Sequence, residues 1–462
     1  MTLTVDAVNG LSSGPAATSV GEKPYLLFCA AFMDGHTNPL IRICSGLVKR
    51  GFPVTFIAGN QHEKRIRAVG ADVVGYEPEL TAADWEARNA VPAGLPQLLW
   101  DLEIVFCRCT TSRWALLKET LERLRSCDPA REIVVVYDTA FMGTAPLMLG
   151  APLPRGFDVR PKVVNVNVIP VTATSIDTGP FGPGLPPDAS ESGRARNQLI
   201  NQLMASTIFS GLNASYGRML REAGATVELE PVCLPHHWPL LSDVSLQMCP
   251  ASLEYVRSDL PAHIRYVGSL LPDPVSPGFV RPAWWPEVDV GAAKKVVVVT
   301  QGTIATSYSD LLIPTMAALA DRDDLLVVAI LGVRGAALSA DVAVPANARV
   351  VDYLPYEAIL PRAAAFVLNA GYGGLIHGVV HGVPMVLAGS TEDKPEVAMR
   401  GQCAGVAVNL RTGQPTEAQL REAVDRLLVD PSFRDRVNEI RRENEALGAM
   451  DNVEREILRV VA

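Results

Sequence analysis

The sequence lacks the features of several large protein classes. It has no run of about 20 apolar residues, the length that crosses a bilayer, and its start lacks the basic and apolar parts of a secretory signal. We therefore expect a cytoplasmic protein without an integral membrane segment. The net charge of −9 argues against nucleic-acid binding, which needs concentrated Lys and Arg. Residues 1–22, rich in Gly, Ser, Ala and Thr, are typical of a disordered tail.

Signatures of metal and common cofactor sites are also missing. The eight cysteines are scattered, and the C-x-C of Cys107 and Cys109 has no second pair that would complete a zinc site. Buried free thiols in a reducing compartment explain them more simply. The glycine-rich turn at 369–374 fits neither GxGxxG nor GxxxxGK[ST]. The sequence thus predicts no metal and no bound cofactor.

What the chain does contain is a repeated alternation of apolar strands and amphipathic helices. Runs rich in Val, such as Ile133–Tyr137 and Val296–Thr300, are typical of strands buried on both faces of a parallel sheet. The alternation predicts an α/β protein with two doubly wound, Rossmann-like domains that face each other across a cleft. The predicted units are a first domain at 23–268, a proline-rich linker at 269–287, a second domain at 288–446, and a C-terminal helix within 447–462.

One turn in the second half is suited to binding an anion. Asn369 to Gly374 reads NAGYGG and lies between the apolar runs Ala365–Leu368 and Pro384–Ala388. Glycine lets the backbone approach a ligand, and the start of the next helix offers free N–H groups and about half a positive charge. A diphosphate is the simplest guest, although a glycine-rich turn alone also suits a plain tight turn.

The residues around this turn resemble the donor-binding signature of the family 1 glycosyltransferases, nucleotide-sugar-dependent enzymes of GT-B fold. The likeness rests on Tyr353-Leu354-Pro355 before the turn, and on Gly382-Val383-Pro384 and Glu392-Asp393-Lys394 after it. The resemblance implies the following roles: uracil stacking by Tyr353, a base-edge bond from the backbone of Leu354, diphosphate binding by Thr303, Asn369, Gly371, Tyr372, Gly373 and Gly374, and sugar binding by Asp393. It also implies that the domain at 23–268 binds the acceptor, that the domain at 288–446 binds the nucleotide sugar, and that the C-terminal helix returns to the first domain.

Several positions depart from the family pattern. Asn369 stands where the family has a phosphate-binding His, which loses a possible positive charge. His377 replaces the Glu that holds the ribose, and Lys394 replaces a Gln, as does Tyr356. Lys394 either reaches the phosphates or remains solvated. These departures leave the donor open between a UDP-sugar and a dTDP-deoxysugar.

A catalytic pair is predicted in the first half. The element Gly35-His36-Thr37-Asn38-Pro39 follows the first strand, and we place His36 in a glycine turn before a helix over 38–49. It matches the GHxxP element that bears the family's catalytic base. Asp138 ends the strand at 133–137 and corresponds to the residue that orients this base, although an Asp there also suits a helix N-cap. Taken singly, such a His is also a common packing residue.

The resemblance implies inverting, metal-independent O-glycosyl transfer of a hexose, expected to be glucose, from a UDP-sugar. We expect a small lipophilic acceptor, phenolic or polyketide, in a pocket of Phe32, Met33, Phe141 and Met142, residue types that suit flat apolar molecules and also ordinary cores. The expected assembly is a monomer or weak dimer. A dTDP-deoxysugar transferase and a non-catalytic nucleotide-sugar-binding protein are the alternatives.

Overall fold

The computed structural model describes residues 22–289, 293–302 and 307–462, and these contain two parallel β-sheets. The strands of the first sheet are β1 Tyr25–Cys29, β2 Val54–Gly59, β3 Asp72–Tyr76, β4 Ile133–Asp138, β5 Lys162–Asn167, β6 Val244–Gln247 and β7 Ile264–Tyr266. Those of the second are β8 Lys295–Thr300, β9 Leu325–Ile330, β10 Ala348–Val351, β11 Ala363–Leu368, β12 Met385–Leu387 and β13 Ala407–Asn409. The predicted tail lies outside the described residues except for Glu22.

Helices cover both faces of each sheet. In the first half they are α1 Asp34–Lys49, α2 Glu63–Ala68, α3 Ala82–Ala90, α4 Leu95–Trp100, α5 Thr110–Cys127, α6 Ala145–Met148, α7 Glu191–Leu203 and α8 Ser210–Glu222. In the second half they are α9 Leu312–Ala318, α10 Tyr356–Ile359, α11 Tyr372–His381, α12 Lys394–Cys403, α13 Glu417–Val429, α14 Pro431–Leu447 and α15 Ala449–Arg459. A π-helix, Asp101–Cys107, continues α4.

The strand orders are those of two doubly wound sheets, as predicted. The first runs β3-β2-β1-β4-β5-β6-β7 and the second β10-β9-β8-β11-β12-β13. The order reverses between β1 and β4 and between β8 and β11, and ligands of such sheets bind beyond the carboxyl ends of the strands at these switch points. Cys29 pairs with Tyr137 at the first switch point, and Thr300 pairs with Leu368 at the second. The residues that follow these strands are therefore neighbours.

The last helix packs on the first domain. Val453 and Ile457 of α15 are fully buried in the same cluster as Leu40 of α1 and Phe56 of β2. Glu454 accepts hydrogen bonds from Lys23 Nζ at 2.8 Å and from Arg50 Nη1 at 2.5 Å. The first domain thus completes one face of its core with residues from the far end of the described chain.

A buried ionic network joins the two domains. Arg400 on α12 donates to Glu254 Oε1 and to Glu396 Oε2, each at 2.8 Å, and all three residues are buried. Glu396 Oε1 also accepts from the backbone N–H groups of Gly182 and Gly184 in the first domain, each at 2.8 Å. Because every charge has a partner, the network offsets part of the cost of removing the ions from water.

One local prediction was wrong. The first helix begins at Asp34 and not at residue 38, so His36 lies within its first turn, and His36 N–H and Thr37 N–H both donate to the Met33 carbonyl. The stretch after β3 contains α3, which begins at a Thr81–Asp84 capping box. Most of the proline-rich stretch at 269–287 has no helix or strand, and it ends in a 3₁₀ helix, Trp285–Val288. Trp285 packs against Phe279 there.

We predict that Ile457→Ala destabilises the protein by about 2–5 kcal/mol, because it opens a cavity in a filled core. Equilibrium denaturation in urea measures this change in the free energy of unfolding. Leu458→Ala on the same helix is the control: Leu458 is 37% exposed, so its truncation should change stability by no more than about 0.5 kcal/mol. Equal effects of both variants would contradict the docking of α15 on the first domain.

Candidate active site

A His–Asp pair lies at the switch point of the first sheet. His36 Nδ1 is 2.6 Å from Asp138 Oδ1, and because a carboxylate only accepts hydrogen bonds, Nδ1 carries the proton in this pair. The other Asp138 oxygen accepts from Ala31 N–H at 2.6 Å, and Oδ1 accepts also from Ala140 N–H at 2.9 Å. Asp138 is fully buried and held by the backbone, so the imidazole has a fixed orientation with Nε2 left to receive a proton.

The electrostatics of the pair favour the protonated imidazole. Burial lowers the pKa of His36, but the charge of Asp138, its hydrogen bond and the charge of Asp393 raise it, and the net pKa is above its ordinary value. Asp393 belongs to the second domain. Burial raises the pKa of its carboxyl to about 6, and the His36 charge opposes that shift. Each group affects the titration of the other, so the two side chains are electrostatically coupled between the two domains.

The glycine-rich turn of the second domain lies at the other switch point. Gly371 caps α11, and Leu375 N–H donates to the Gly371 carbonyl at 3.1 Å, so the first N–H groups of this helix are left free. A Cβ at Gly373 would meet no atom within 4 Å, whereas one at Gly374 would come within 2.4 Å of Leu368. Gly373 therefore borders open space beside the free N–H groups. At Gly374 a larger residue would displace the Leu368 side chain.

An aromatic residue is exposed near this turn. Tyr353 is 41% exposed, and the guanidinium of Arg334 lies 3.9 Å from the centre of its ring. The side chain of the next residue, Leu354, is buried in the second-domain core, so only its backbone is offered to a ligand. A ring with one stacked cation and an exposed surface is suited to a planar base.

An apolar pocket lies beside the His–Asp pair. Its lining includes Phe32, Phe106, Phe141 and Met142, with Arg113 and Glu79 as polar members. Phe106 comes from the π-helix and packs edge-on against the His36 ring, with centroids 6.0 Å apart. The pocket encloses only about 20 Å³, close to the space of one water molecule, and His36 is not among its lining residues. The lining offers apolar surface close to the His–Asp pair, but a ring could enter only if these side chains moved apart.

In the described segments, no three His, Cys, Asp or Glu side chains are grouped as a metal site would need. The helices described include none that is long and apolar enough to span a bilayer. All eight cysteines lie in described segments and are unpaired.

The amino-acid sequence is similar to those of known proteins over nearly the whole length of the chain. UDP-glucosyltransferase 1 of Beauveria bassiana is 45% identical over 433 residues, covering 93% of this chain and 94% of the relative. UDP-glucosyltransferase A1 of Starmerella bombicola is 36% identical over 443 residues, covering 94% and 92%. The chain belongs to the family 1 glycosyltransferases. Residues 314–458 of this glycosyltransferase also match the family described as erythromycin biosynthesis protein CIII-like, C-terminal domain.

Solved structures support the GT-B fold of this glycosyltransferase. The crystal structure of the glycotransferase of kitacinnamycin superposes with a TM-score of 0.68 and 21% identity, covering 95% of this chain and 100% of that one. CalG4, the calicheamicin glycosyltransferase, gives a TM-score of 0.63 at 19% identity, covering 95% and 98%.

The structure gives three predicted donor residues local partners. Asn369 Nδ2 donates to the Gln301 carbonyl at 2.6 Å. The Tyr372 hydroxyl accepts from Gln247 Nε2 of the first domain at 3.1 Å. The Tyr372 side chain therefore connects the two domains, and only the backbone N–H of Tyr372 is left for a ligand at the turn. His377 packs edge-on against Tyr356 and parallel to His381, and burial lowers its pKa to about 3.

Other predicted residues lie elsewhere than expected. Lys394 is neither solvated nor directed at the turn: it is bonded to Glu392 and to Thr391 Oγ1, and burial with the charge of Arg88 lowers its pKa to about 8. Met33 precedes α1 and is not part of the pocket lining. Thr303 lies outside the described residues.

Sequence reasoning missed residues that act over long distances. Phe106, Arg334, Gln247 and Arg88 carry no local motif, and nothing in the sequence pointed to them. Gln301 has a structural role. Its side-chain oxygen accepts from the N–H groups of Leu311 and Leu312 and so caps the start of α9.

We predict that His36 titrates above its ordinary pKa of about 6.5, and that Asp138→Asn lowers this pKa by removing the negative charge. NMR titration of the imidazole measures both values. Because the folded state binds this proton more tightly, the pair stabilises the fold fully below about pH 6.5, and the contribution is lost as pH rises through the folded pKa. Asp138→Asn should flatten the pH dependence of stability in that window. An unchanged titration would contradict the pairing.

Proposed function

We propose that this glycosyltransferase moves glucose from UDP-glucose to a hydroxyl of a small lipophilic acceptor, with inversion at the anomeric carbon. The observation that carries the proposal is the 2.6 Å hydrogen bond between His36 and Asp138. The charge of Asp393, in the other domain, also raises the pKa of His36. The names of the two UDP-glucosyltransferase relatives, 45% and 36% identical, support UDP-glucose as the donor.

In the proposed reaction His36 is the general base. Its Nε2 takes the proton of the acceptor hydroxyl, the oxygen forms a bond to the anomeric carbon, and the bond from that carbon to the diphosphate breaks on the opposite face. Asp138 holds the imidazole and stabilises the imidazolium that forms. The carboxylate of Asp393 accepts hydrogen bonds from hydroxyls of the sugar, and Tyr353 stacks on the uracil.

The leaving diphosphate is stabilised by the N-terminus of α11. Its first N–H groups, at Tyr372 to Gly374, have no partner within the helix, and a side chain at Gly373 would meet no other atom. Preorganised donors of this kind stabilise developing negative charge without rearrangement. We therefore propose a reaction without a metal or other cofactor.

We propose that an apolar acceptor with one reactive hydroxyl binds against the apolar surface near His36, and that the lining side chains move apart to admit it, because the closed pocket encloses only about 20 Å³. Phe32, Phe106, Phe141 and Met142 present aromatic and thioether surface, which suits a phenolic or polyketide ring. We also propose a cytoplasmic location, because eight unpaired cysteines are typical of a reducing compartment, and a monomeric or weakly dimeric state.

We predict that His36→Ala lowers kcat for transfer from UDP-glucose to a phenol by about 10²–10⁴ and leaves the affinity for UDP unchanged. Product formation by chromatography and UDP affinity by calorimetry measure the two effects. Arg155→Ala is the control and should be fully active, because the Arg155 side chain is 89% exposed and pairs with Glu122, away from the His–Asp pair. Wild-type protein that binds UDP and forms no product with any acceptor would instead support a non-catalytic nucleotide-sugar-binding protein.

A dTDP-sugar donor is a second candidate that His377 favours. This side chain is neutral and stands where the family's ribose-binding Glu is expected, so the charged bond to the ribose hydroxyls is lost. Charged hydrogen bonds contribute about 1.5–3 kcal/mol.

We predict that UDP binds less than about tenfold more tightly than dTDP, and that His377→Glu increases this preference by about tenfold. Calorimetric titration with both nucleotides measures the ratio. His377→Gln, which adds no charge, should leave the preference nearly unchanged. Tighter binding of dTDP by the wild-type protein would favour a deoxysugar donor.

A further inference from the structure

One arginine crosses the cleft beside the sugar site. Arg88 on α3 of the first domain donates from Nε to Asp101 Oδ1 at 2.6 Å and from Nη2 to Asp101 Oδ2 at 2.8 Å. The same Nη2 donates to Glu392 Oε1 of the second domain at 2.7 Å. The Arg88 side chain is 13% exposed and that of Asp101 is 7% exposed. The side chain of Glu392 is 31% exposed. The bridge is therefore well shielded from solvent at Arg88 and Asp101 and partly shielded at Glu392.

The carboxylate of Glu392 has further partners in its own domain. Its Oε2 accepts from Thr391 Oγ1 at 2.6 Å and from Lys394 Nζ. The backbone of Glu392 has a φ of +49°, a left-handed conformation that disfavours any residue with a Cβ. Such a conformation persists when the surrounding contacts hold it. Asp393 follows directly, so the position of its carboxylate depends on how the side chain of Glu392 is held.

The other end of the bridge leads to the catalytic base. Asp101 is the first residue of the π-helix Asp101–Cys107. Phe106 of this helix packs against the His36 ring. A single guanidinium thus connects the segment that supports His36 to the segment that carries Asp393.

We propose that Arg88 and Glu392 form an interdomain latch that positions Asp393 on the donor sugar and Phe106 beside His36. The latch couples donor binding to the acceptor side of the cleft. It rests on the proposed function, since Asp393 is taken to bind the sugar. Arg88 and Glu392 are positioning residues, and Lys394 serves the latch instead of the phosphates.

The test compares binding of UDP-glucose with binding of UDP in the absence of acceptor. Arg88→Gln, Glu392→Gln and the double variant are titrated by calorimetry. Each single variant should weaken UDP-glucose about tenfold and UDP much less, because only the sugar contacts Asp393. The double variant should be no weaker than either single one, since both remove the same interaction. Additive losses, equal losses for both ligands, or no loss would overturn the latch.

Kinetics with an acceptor separate positioning from folding. The single variants should raise KM for UDP-glucose and also lower kcat, and Arg88→Lys should restore part of the loss because it keeps the charge. Glu392→Gly relieves the left-handed backbone but removes the carboxylate, so it should behave like Glu392→Gln. If Glu392→Gly keeps wild-type affinity, only the backbone shape matters and the latch is wrong.

Arg160→Gln is the matched control. Arg160 forms a two-pronged bridge to Asp243 within the first domain, with both distances 2.7 Å, and its loss should leave the ratio of UDP-glucose to UDP affinity unchanged. Wild-type protein that binds no UDP-glucose would overturn the proposed function and the latch together. Wild-type protein that binds and transfers glucose, with variants that bind UDP-glucose equally well, would overturn the latch alone.

Discussion

The active site exists because a buried ionic network fixes one sheet against the other. Arg400 is held between Glu254 of the first domain and Glu396 of its own helix, and Glu396 in turn accepts two backbone N–H groups of the first domain. Breaking such a network by removing one partner leaves an uncompensated charge that costs about 3–5 kcal/mol. The attraction is also directional, because the guanidinium donates along fixed lines. Apolar contact alone would hold the domains together without specifying their orientation this closely.

With the sheets docked, the two switch points supply complementary chemistry. The first offers an imidazole whose orientation is set by a buried carboxylate, and the second offers free N–H groups at the start of α11. In the proposed reaction neither half would suffice alone, since the base comes from the first domain and the diphosphate site from the second. Asp393 of the second domain raises the pKa of His36 in the first domain, so the two halves are also coupled electrostatically.

Much of this arrangement was readable in the sequence, because it follows from local patterns. Apolar strand runs predicted both sheets, and the segments at the carboxyl ends of β1, β4 and β11 included His36, Asp138 and the glycine turn. What could not be read was set by distant partners. Arg88 and Glu392 are 304 positions apart, and no local period connects them. The sequence left Lys394 as either solvated or phosphate-bound, because a motif does not show that the Lys394 side chain bonds to the carboxylate of Glu392. The roles of Asn369 and Tyr372 likewise depended on Gln301 and Gln247.

The return of α15 to the first domain has a consequence for how the protein is made. Val453 and Ile457 fill one face of the first core, so that core remains incomplete until residue 457 has left the ribosome. The second sheet, whose last strand ends at Asn409, is translated in full before then. Domains usually fold in the order of synthesis. Here the first domain cannot complete its core until the last helix, α15, has been synthesised.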